Sequence, residues 1–168
     1  MKLIGVLGGQ VPAEEFLVMA EEVGYLIAQG GAAVICGGLS GVMEAACKGA
    51  KRGEGLAIGV LPSIRKSDAN PYVDIVITSG MSTARNVIIV RSADALIAID
   101  GSYGTLSEIS HAFEQGKPVV ALGSWDMGTL GVPPELYRKA ESPEEAARLA
   151  LELAEETGNG SLPFAGSS

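Results

Sequence analysis

A glycine-rich turn between an apolar segment and an amphipathic segment is the part of this sequence best suited to chemistry. The turn reads DGSYGTLSE from Asp100 to Glu108 and follows the apolar run 95–99, which predicts a buried strand. The pattern of residues 106–115 predicts a helix. Glycines let main-chain N–H groups approach an anion, and a helix N-terminus favours negative charge. The stretch therefore predicts a phosphate site, whose residues would be Gly101, Ser102, Tyr103, Gly104 and Thr105.

Other glycine-containing turns also follow predicted strands. Gly8 and Gly9 end the first one, Gly37 and Gly38 with Gly41 end the second, and Ser79-Gly80 ends the fourth. Because the carboxyl ends of parallel strands share one edge of a sheet, these turns are expected on one rim with the turn at 101–105. The glycines at 8, 9, 37, 38 and 41 are thus predicted to bind a phosphate or nucleotide. A dinucleotide fits less well, since Gly8-Gly9-Gln10 lacks GxGxxG spacing and no acidic residue ends the second strand.

Two charged residues near this rim could act on a bound anion or ligand. Arg85 lies near the start of a helix predicted from Ser82 or Thr83 to about Ser92, where a cation opposes the helix dipole unless an anion is nearby. For Glu108 the residues alone favour a capping role over a role on a ligand, because TLSE from Thr105 to Glu108 is a capping-box pattern.

The remaining candidates carry no predicted role. Arg91 follows Arg85 by six residues, about 240° around the helix, and therefore faces elsewhere. His111 is the only histidine and is expected to be a packing or surface residue. Cys36 and Cys47 lie among apolar residues, which predicts buried free thiols in a reducing compartment. Their spacing does not indicate zinc, and no metal site is predicted.

The elements that must position these residues alternate between strand and helix. Strands are predicted at 2–7, 32–36, 56–61, 73–78, 95–99 and 118–122, with helices between most of them. The predicted fold is α/β, a doubly wound, mostly parallel sheet with a Rossmann-like nucleotide-binding topology. Residues 1–158 form one such domain, and 159–168 are predicted to be a disordered tail. After Gly123 the pattern loosens, until SPEE at 142–145 predicts the capped start of a terminal helix.

Composition narrows the partners. The chain has 168 residues and a net charge of −8, which argues against nucleic acid and anionic membranes as partners. Residues 3–7 are too short an apolar run for a signal peptide, and Arg91 and Asp94 interrupt the longest apolar region. A soluble, cytoplasmic protein is expected. The apolar stretch 87–90 suggests more hydrophobic surface than one subunit buries, so a homo-oligomer is expected.

Two segments resemble the LOG-like family, the cytokinin riboside 5′-monophosphate phosphoribohydrolases formerly labelled lysine decarboxylases. GGLSGVM at 37–43 is similar to the family's first glycine-rich motif, and 81–108 to its signature, an arginine-bearing helix, a strand and PGGxGTxxE. The resemblance spans Lys2 to about Leu122. Within the signature, Gly101, Gly104, Thr105 and Glu108 match motif positions, and Arg85 matches the catalytic arginine.

Three positions depart from the family pattern. Asp100 replaces the motif's Pro, Ser102 replaces a Gly, and Asn86 replaces a Lys. Asp100 would bring a carboxylate near the phosphate, and Ser102 would tolerate a positive φ less well than Gly. These departures resemble a shorter branch of the family that includes molybdenum-cofactor carrier proteins.

The resemblance implies a phosphate- or nucleotide-binding protein that hydrolyses the N-glycosidic bond of a nucleoside 5′-monophosphate to free base and ribose 5-phosphate. Arg85 and Glu108 would be catalytic, with no cofactor. The alternative is a non-catalytic carrier of a phosphorylated ligand such as molybdenum cofactor, a pterin phosphate. The resemblance also implies a homodimer or homotetramer.

Overall fold

The computed structural model describes residues 1–158, so the tail predicted for 159–168 lies outside the described residues. Within these residues there are seven strands and five α-helices, and an α-helix separates most pairs of consecutive strands. The strands are β1 Leu3–Leu7, β2 Ala33–Cys36, β3 Ala57–Leu61, β4 Ile75–Thr78, β5 Ala95–Ile99, β6 Val119–Leu122 and β7 Tyr137–Ala140. The helices are α1 Glu14–Gln29, α2 Val42–Arg52, α3 Asn86–Ser92, α4 Tyr103–Glu114 and α5 Pro143–Gly158.

All seven strands form one parallel sheet in the order β4-β3-β2-β1-β5-β6-β7. The chain moves outward in one direction from β1 to β4 and then returns to the centre, where β5 pairs with β1. The strand order therefore reverses between β1 and β5. In open parallel sheets this switch point leaves a crevice at the carboxyl ends of the two strands.

Helices cover both faces of the sheet, as the doubly wound prediction requires. On one face α1, α2 and α5 pack over the sheet through residues such as Val23, Ala46 and Leu153. On the other face α3 and α4 contribute Ile89 and Ile109. Strands buried on both sides explain the nearly unbroken apolar runs in the sequence.

The structure adds one strand to the six that the sequence predicts. The sheet is entirely parallel, and β7 lies in the region where the loosened pattern predicted no strand. That strand is short, and only Tyr137 and Ala140 are buried, so it lacks the apolar run of the central strands. The capped start of α5 is confirmed, since the Glu145 N–H donates to Ser142 Oγ at 3.2 Å.

A further prediction concerns the burial of the two cysteines. Cys36 and Cys47 are free and buried, as predicted, with their sulfur atoms 3.5 Å apart. No helix within residues 1–158 is long and apolar enough to cross a membrane.

Candidate functional site

A cleft of about 500 Å³ lies at the switch point between β1 and β5. The segment after β1 and the segment after β5 form two of its walls. The start of α2, the turn that leads into α3 with the first residue of α3, and the first two turns of α4 supply the rest. We call it the main cleft. Its lining residues are Gly8, Gly9, Gln10, Val11, Met43, Arg85, Asn86, Asp100, Gly101, Ser102, Gly104, Thr105 and Glu108.

Residues 100–105, where the sequence predicts a phosphate site, run from the end of β5 into the first turn of α4, and we call them the phosphate turn. Helix α4 begins at Tyr103, earlier than predicted, with Ser102 as the residue that precedes it. The Ser102 side chain makes no capping hydrogen bond with the helix in the described structure. The N–H groups of the first helical turn have no intrahelical acceptor, so those of Tyr103, Gly104 and Thr105 are main-chain donors for an anion.

Backbone conformation in this turn differs from the expectation based on Ser102. Ser102 adopts an extended φ of −88°, so its side chain costs nothing there. The left-handed residue is Asp100, with φ of 56°. Asp and Asn adopt this region more readily than other residues with a Cβ, yet it is uncommon outside glycine and is concentrated at functional sites.

Arg85 reaches the main cleft from the 3₁₀ turn Ser82–Arg85 that leads into α3. The residue is only 8% exposed. Its guanidinium lies against Gly37, where an added Cβ would be 2.1 Å from Nη1. Its Nε is buried and has no hydrogen-bond partner among residues 1–158. Burial lowers the pKa of Arg85 from its ordinary value, an effect that the charge of Glu108 opposes.

Glu108 is also 8% exposed and lies in the second turn of α4. The capping interpretation of Glu108 is wrong, because a capping box needs its carboxylate at the third helical residue, which is Thr105. Burial raises the pKa of Glu108 to about 7, and the nearby charge of Arg85 partly opposes this rise. At neutral pH the carboxyl group can therefore exchange a proton, as acid–base groups in active sites do.

The arrangement combines three chemical capacities in one cleft. Main-chain N–H groups at the phosphate turn can hold an anion. Arg85 supplies a fixed positive charge and a buried Nε–H donor that has no acceptor among residues 1–158. Glu108 supplies a carboxyl group that is poised between its two protonation states.

The structure brings most predicted site residues together and separates others. Arg85 and Glu108 line the main cleft, as do the predicted phosphate residues Gly8, Gly9, Gly101, Ser102, Gly104 and Thr105. Gly37, Gly38, Gly41 and Tyr103 do not line it. Gly37 makes room for Arg85, and Gly41 lies against the main chain of Gly9 and Gln10. Gly37 and Gly41 therefore affect the shape of the walls of the main cleft.

Several lining residues were not predicted. Asp100 and Asn86 appeared in the sequence only as departures from a motif, and their adjacency to Gly101 and Arg85 was the available signal. Gln10 and Val11 directly follow Gly8-Gly9, and Met43 ends the GGLSGVM motif, but only the sheet order brings these segments together. Within residues 1–158, no cluster of three or more His, Cys, Asp or Glu side chains could hold a metal ion.

Comparisons with curated proteins identify two informative relatives. The chain is 47% identical over 157 residues to an uncharacterized protein of Archaeoglobus fulgidus, covering 90% of this chain and 97% of that protein. It is 32% identical over 120 residues to a cytokinin riboside 5′-monophosphate phosphoribohydrolase of Mycobacterium tuberculosis, covering 66% of this chain and 64% of that protein. This second match confirms the resemblance to the LOG-like family.

Solved structures show the same fold with a different associated function. The molybdenum cofactor binding protein of Rippkaea orientalis is 38% identical, with a TM-score of 0.81 over 88% of this chain and 94% of that one. The molybdenum cofactor carrier protein of Chlamydomonas reinhardtii is 36% identical, with a TM-score of 0.84 over 92% and 99%. The SLOG cluster4 family model matches residues 1–156, and the chain belongs to that family.

Proposed function

We propose that the protein binds a nucleoside 5′-monophosphate in the main cleft and hydrolyses its N-glycosidic bond. The observation that carries this proposal is the buried carboxyl group of Glu108, whose pKa is raised to about 7 in a cleft it shares with Arg85 and a phosphate turn. A carboxylate held against a sugar stabilises the positive charge that develops as a glycosidic bond breaks. The phosphorylated ligand is also consistent with the relatives described above.

Each part of the cleft has a step to perform. The phosphate turn holds the 5′-phosphate and thereby places C1′ of the ribose toward Glu108. As the C1′–N bond breaks, the Glu108 carboxylate stabilises the ribosyl cation or takes the proton of the attacking water. Arg85 orients the substrate and assists the departing base. The water oxygen bonds to C1′, the electron pair of the C1′–N bond leaves with the base, and the proton that the water gives up to Glu108 is passed on to the base. The products are therefore free base and ribose 5-phosphate.

The test is release of free base from a panel of nucleoside monophosphates by the full-length protein. Glu108→Gln keeps the shape of the side chain and removes its charge, so hydrolysis is expected to fall about 100-fold or more while nucleotide binding persists. Because the ionised carboxylate is the active form, kcat/KM should rise with pH up to about 7 and then level off. Equal hydrolysis by wild type and Glu108→Gln would refute the role of Glu108.

A second function, carrying a phosphorylated ligand without turnover, is favoured by two observations. The solved structures named above are a binding protein and a carrier protein for molybdenum cofactor. In addition, Asp100 lines the main cleft at a position where the family motif has an uncharged proline. Tight binding of a pterin phosphate together with no base release from any nucleotide would establish this alternative.

We also propose that the protein is a homodimer or homotetramer. The residues that first suggested this do not carry the argument, since Ile89 and Val90 are buried within one subunit. Exposed apolar side chains lie instead on and beside the edge strand β4. These are Ile64, Ile75, Ile77 and Met81, each at least 42% exposed. A 17 kDa species in sedimentation at high protein concentration would contradict the proposal.

A further inference from the structure

An exposed aromatic ring lies within the phosphate turn. Tyr103, the first residue of α4, is 84% exposed. Its ring centroid lies 6.2 Å from that of Trp125, with an angle of 30° between the ring planes. This separation is within the range in which aromatic pairs attract each other. The exposed ring is therefore supported by a neighbour.

Trp125 is fixed in place by the phosphate turn itself. Its Nε1–H donates to the Ser102 carbonyl oxygen at 3.2 Å. An added Cβ at Gly101 would lie 2.7 Å from the same Nε1, so the indole packs directly on the turn. Its apolar part contacts the core beneath α3 and α4. The indole and the ring of Tyr103 thus form an aromatic pair beside the predicted phosphate donors.

A second cleft, of about 450 Å³, lies next to Tyr103. We call it the side cleft. Ala84, Val87 and Tyr103 give it an apolar lining, and Ser107 and Asn86 add polar groups. Its volume lies within the roughly 300–1,000 Å³ of small-molecule sites. Asn86 and Gly104 line both the main cleft and the side cleft, so the two spaces are adjacent.

We infer that the side cleft binds the planar heteroaromatic ring of the ligand, stacked on Tyr103, while the phosphoryl group lies at the phosphate turn. This inference deepens the proposed function and depends on it only for the position of the phosphoryl group. A ring that stacks on an aromatic side chain gains affinity whichever edge it presents. The shared chemistry is a phosphorylated purine or pterin, and the Asn86 amide can meet polar atoms on the ring edge.

Calorimetric titration of the full-length protein tests this, in a Glu108→Gln background so that a nucleotide is not consumed. The probes are AMP, neopterin monophosphate and ribose 5-phosphate, which has no ring. At least one of the two ring ligands should bind about tenfold or more tightly than ribose 5-phosphate. Adding Tyr103→Leu should remove about tenfold or more of that affinity and leave ribose 5-phosphate within about twofold. Tyr103→Phe keeps the ring and should retain the affinity.

Controls separate this inference from its alternatives. Leu130→Ala alters another exposed apolar side chain, 70% exposed and outside both clefts, and should change neither affinity. Trp125 is the only tryptophan, so its emission should change with the ring ligand and not with ribose 5-phosphate. The ligand that shows the Tyr103 effect identifies the ring as purine or pterin.

Three results would overturn the inference. One is equal affinity for the ring ligands and ribose 5-phosphate. Another is a Tyr103→Leu effect of the same size on all three probes. The third is a Tyr103→Leu variant whose sedimentation changes while its affinity for the ring ligands does not, which would assign the Tyr103 ring to a contact between subunits. Base release by the wild type is measured separately, so its absence would refute the hydrolase and leave the ring site standing.

Discussion

The buried carboxyl group of Glu108 should make the stability of the protein depend on pH in a way that one substitution removes. Its pKa is about 7 in the folded protein, against an ordinary value of 4.5. Between these values the folded state holds a proton that the unfolded state has released. The free energy of unfolding therefore falls as pH rises from about 4.5 to about 7, and the loss is complete above that.

The size of the effect follows from the raised pKa. A rise from 4.5 to about 7 destabilises the ionised folded state by about 3 kcal/mol, because each pH unit corresponds to about 1.4 kcal/mol. Glu108 is 8% exposed, so solvent screens this cost only weakly. Glu108→Gln remains neutral at every pH and avoids the cost. The variant should therefore be more stable than wild type above pH 7 and similar to it near pH 4.5.

Urea unfolding of both proteins at pH 5 and pH 8 measures this difference. The stability advantage of Glu108→Gln should grow by about 2 kcal/mol between the two pH values. All other titrating groups are common to both proteins and cancel. The exposed carboxylate Glu135 provides a matched control, since Glu135→Gln should show the same difference from wild type at both pH values. A Glu108→Gln advantage independent of pH would refute the assignment of a buried, proton-holding carboxyl group.

Three further predictions concern Gly37, Asp100 and the two cysteines. In Gly37→Ala the new methyl group displaces the guanidinium of Arg85 rather than main-chain atoms. Kinetics should therefore show base release lowered about tenfold or more, and urea unfolding should show a stability loss under about 2 kcal/mol. Asp100→Asn keeps a residue suited to positive φ and removes a negative charge from the lining of the main cleft. Calorimetry should show inorganic phosphate binding about threefold or more tightly, and this gain in affinity should shrink at high salt; unchanged affinity would place the carboxylate away from the anion. Cys36 and Cys47 should resist a thiol reagent in the folded protein, and two thiols should react in urea.

Much of the architecture could be predicted from the sequence because it depends on local patterns. Apolar runs of strand length alternate with helical patterns, and this alternation predicts a parallel sheet covered on both faces. Glycine turns after strands then predict a rim at the carboxyl ends, and Gly8, Gly9, Gly101 and Gly104 do line one cleft there. The resemblance added Arg85 and Glu108, which line the same cleft.

The tertiary structure decided what local pattern cannot encode. The strand order places β1 beside β5, and only this pairing makes their turns the walls of the cleft. Gly37 packs against the guanidinium of Arg85, and Gly41 packs against the main chain of Gly9 and Gln10. Strand β7 forms because β6 offers an edge to pair with, although its own residues give a weak apolar signal. The raised pKa of Glu108 comes from burial by distant segments, and the sequence alone left Glu108 as either a cap or a functional group. Long-range packing excluded the cap, since it determines where α4 begins, and it also sets how deeply the Glu108 side chain is buried.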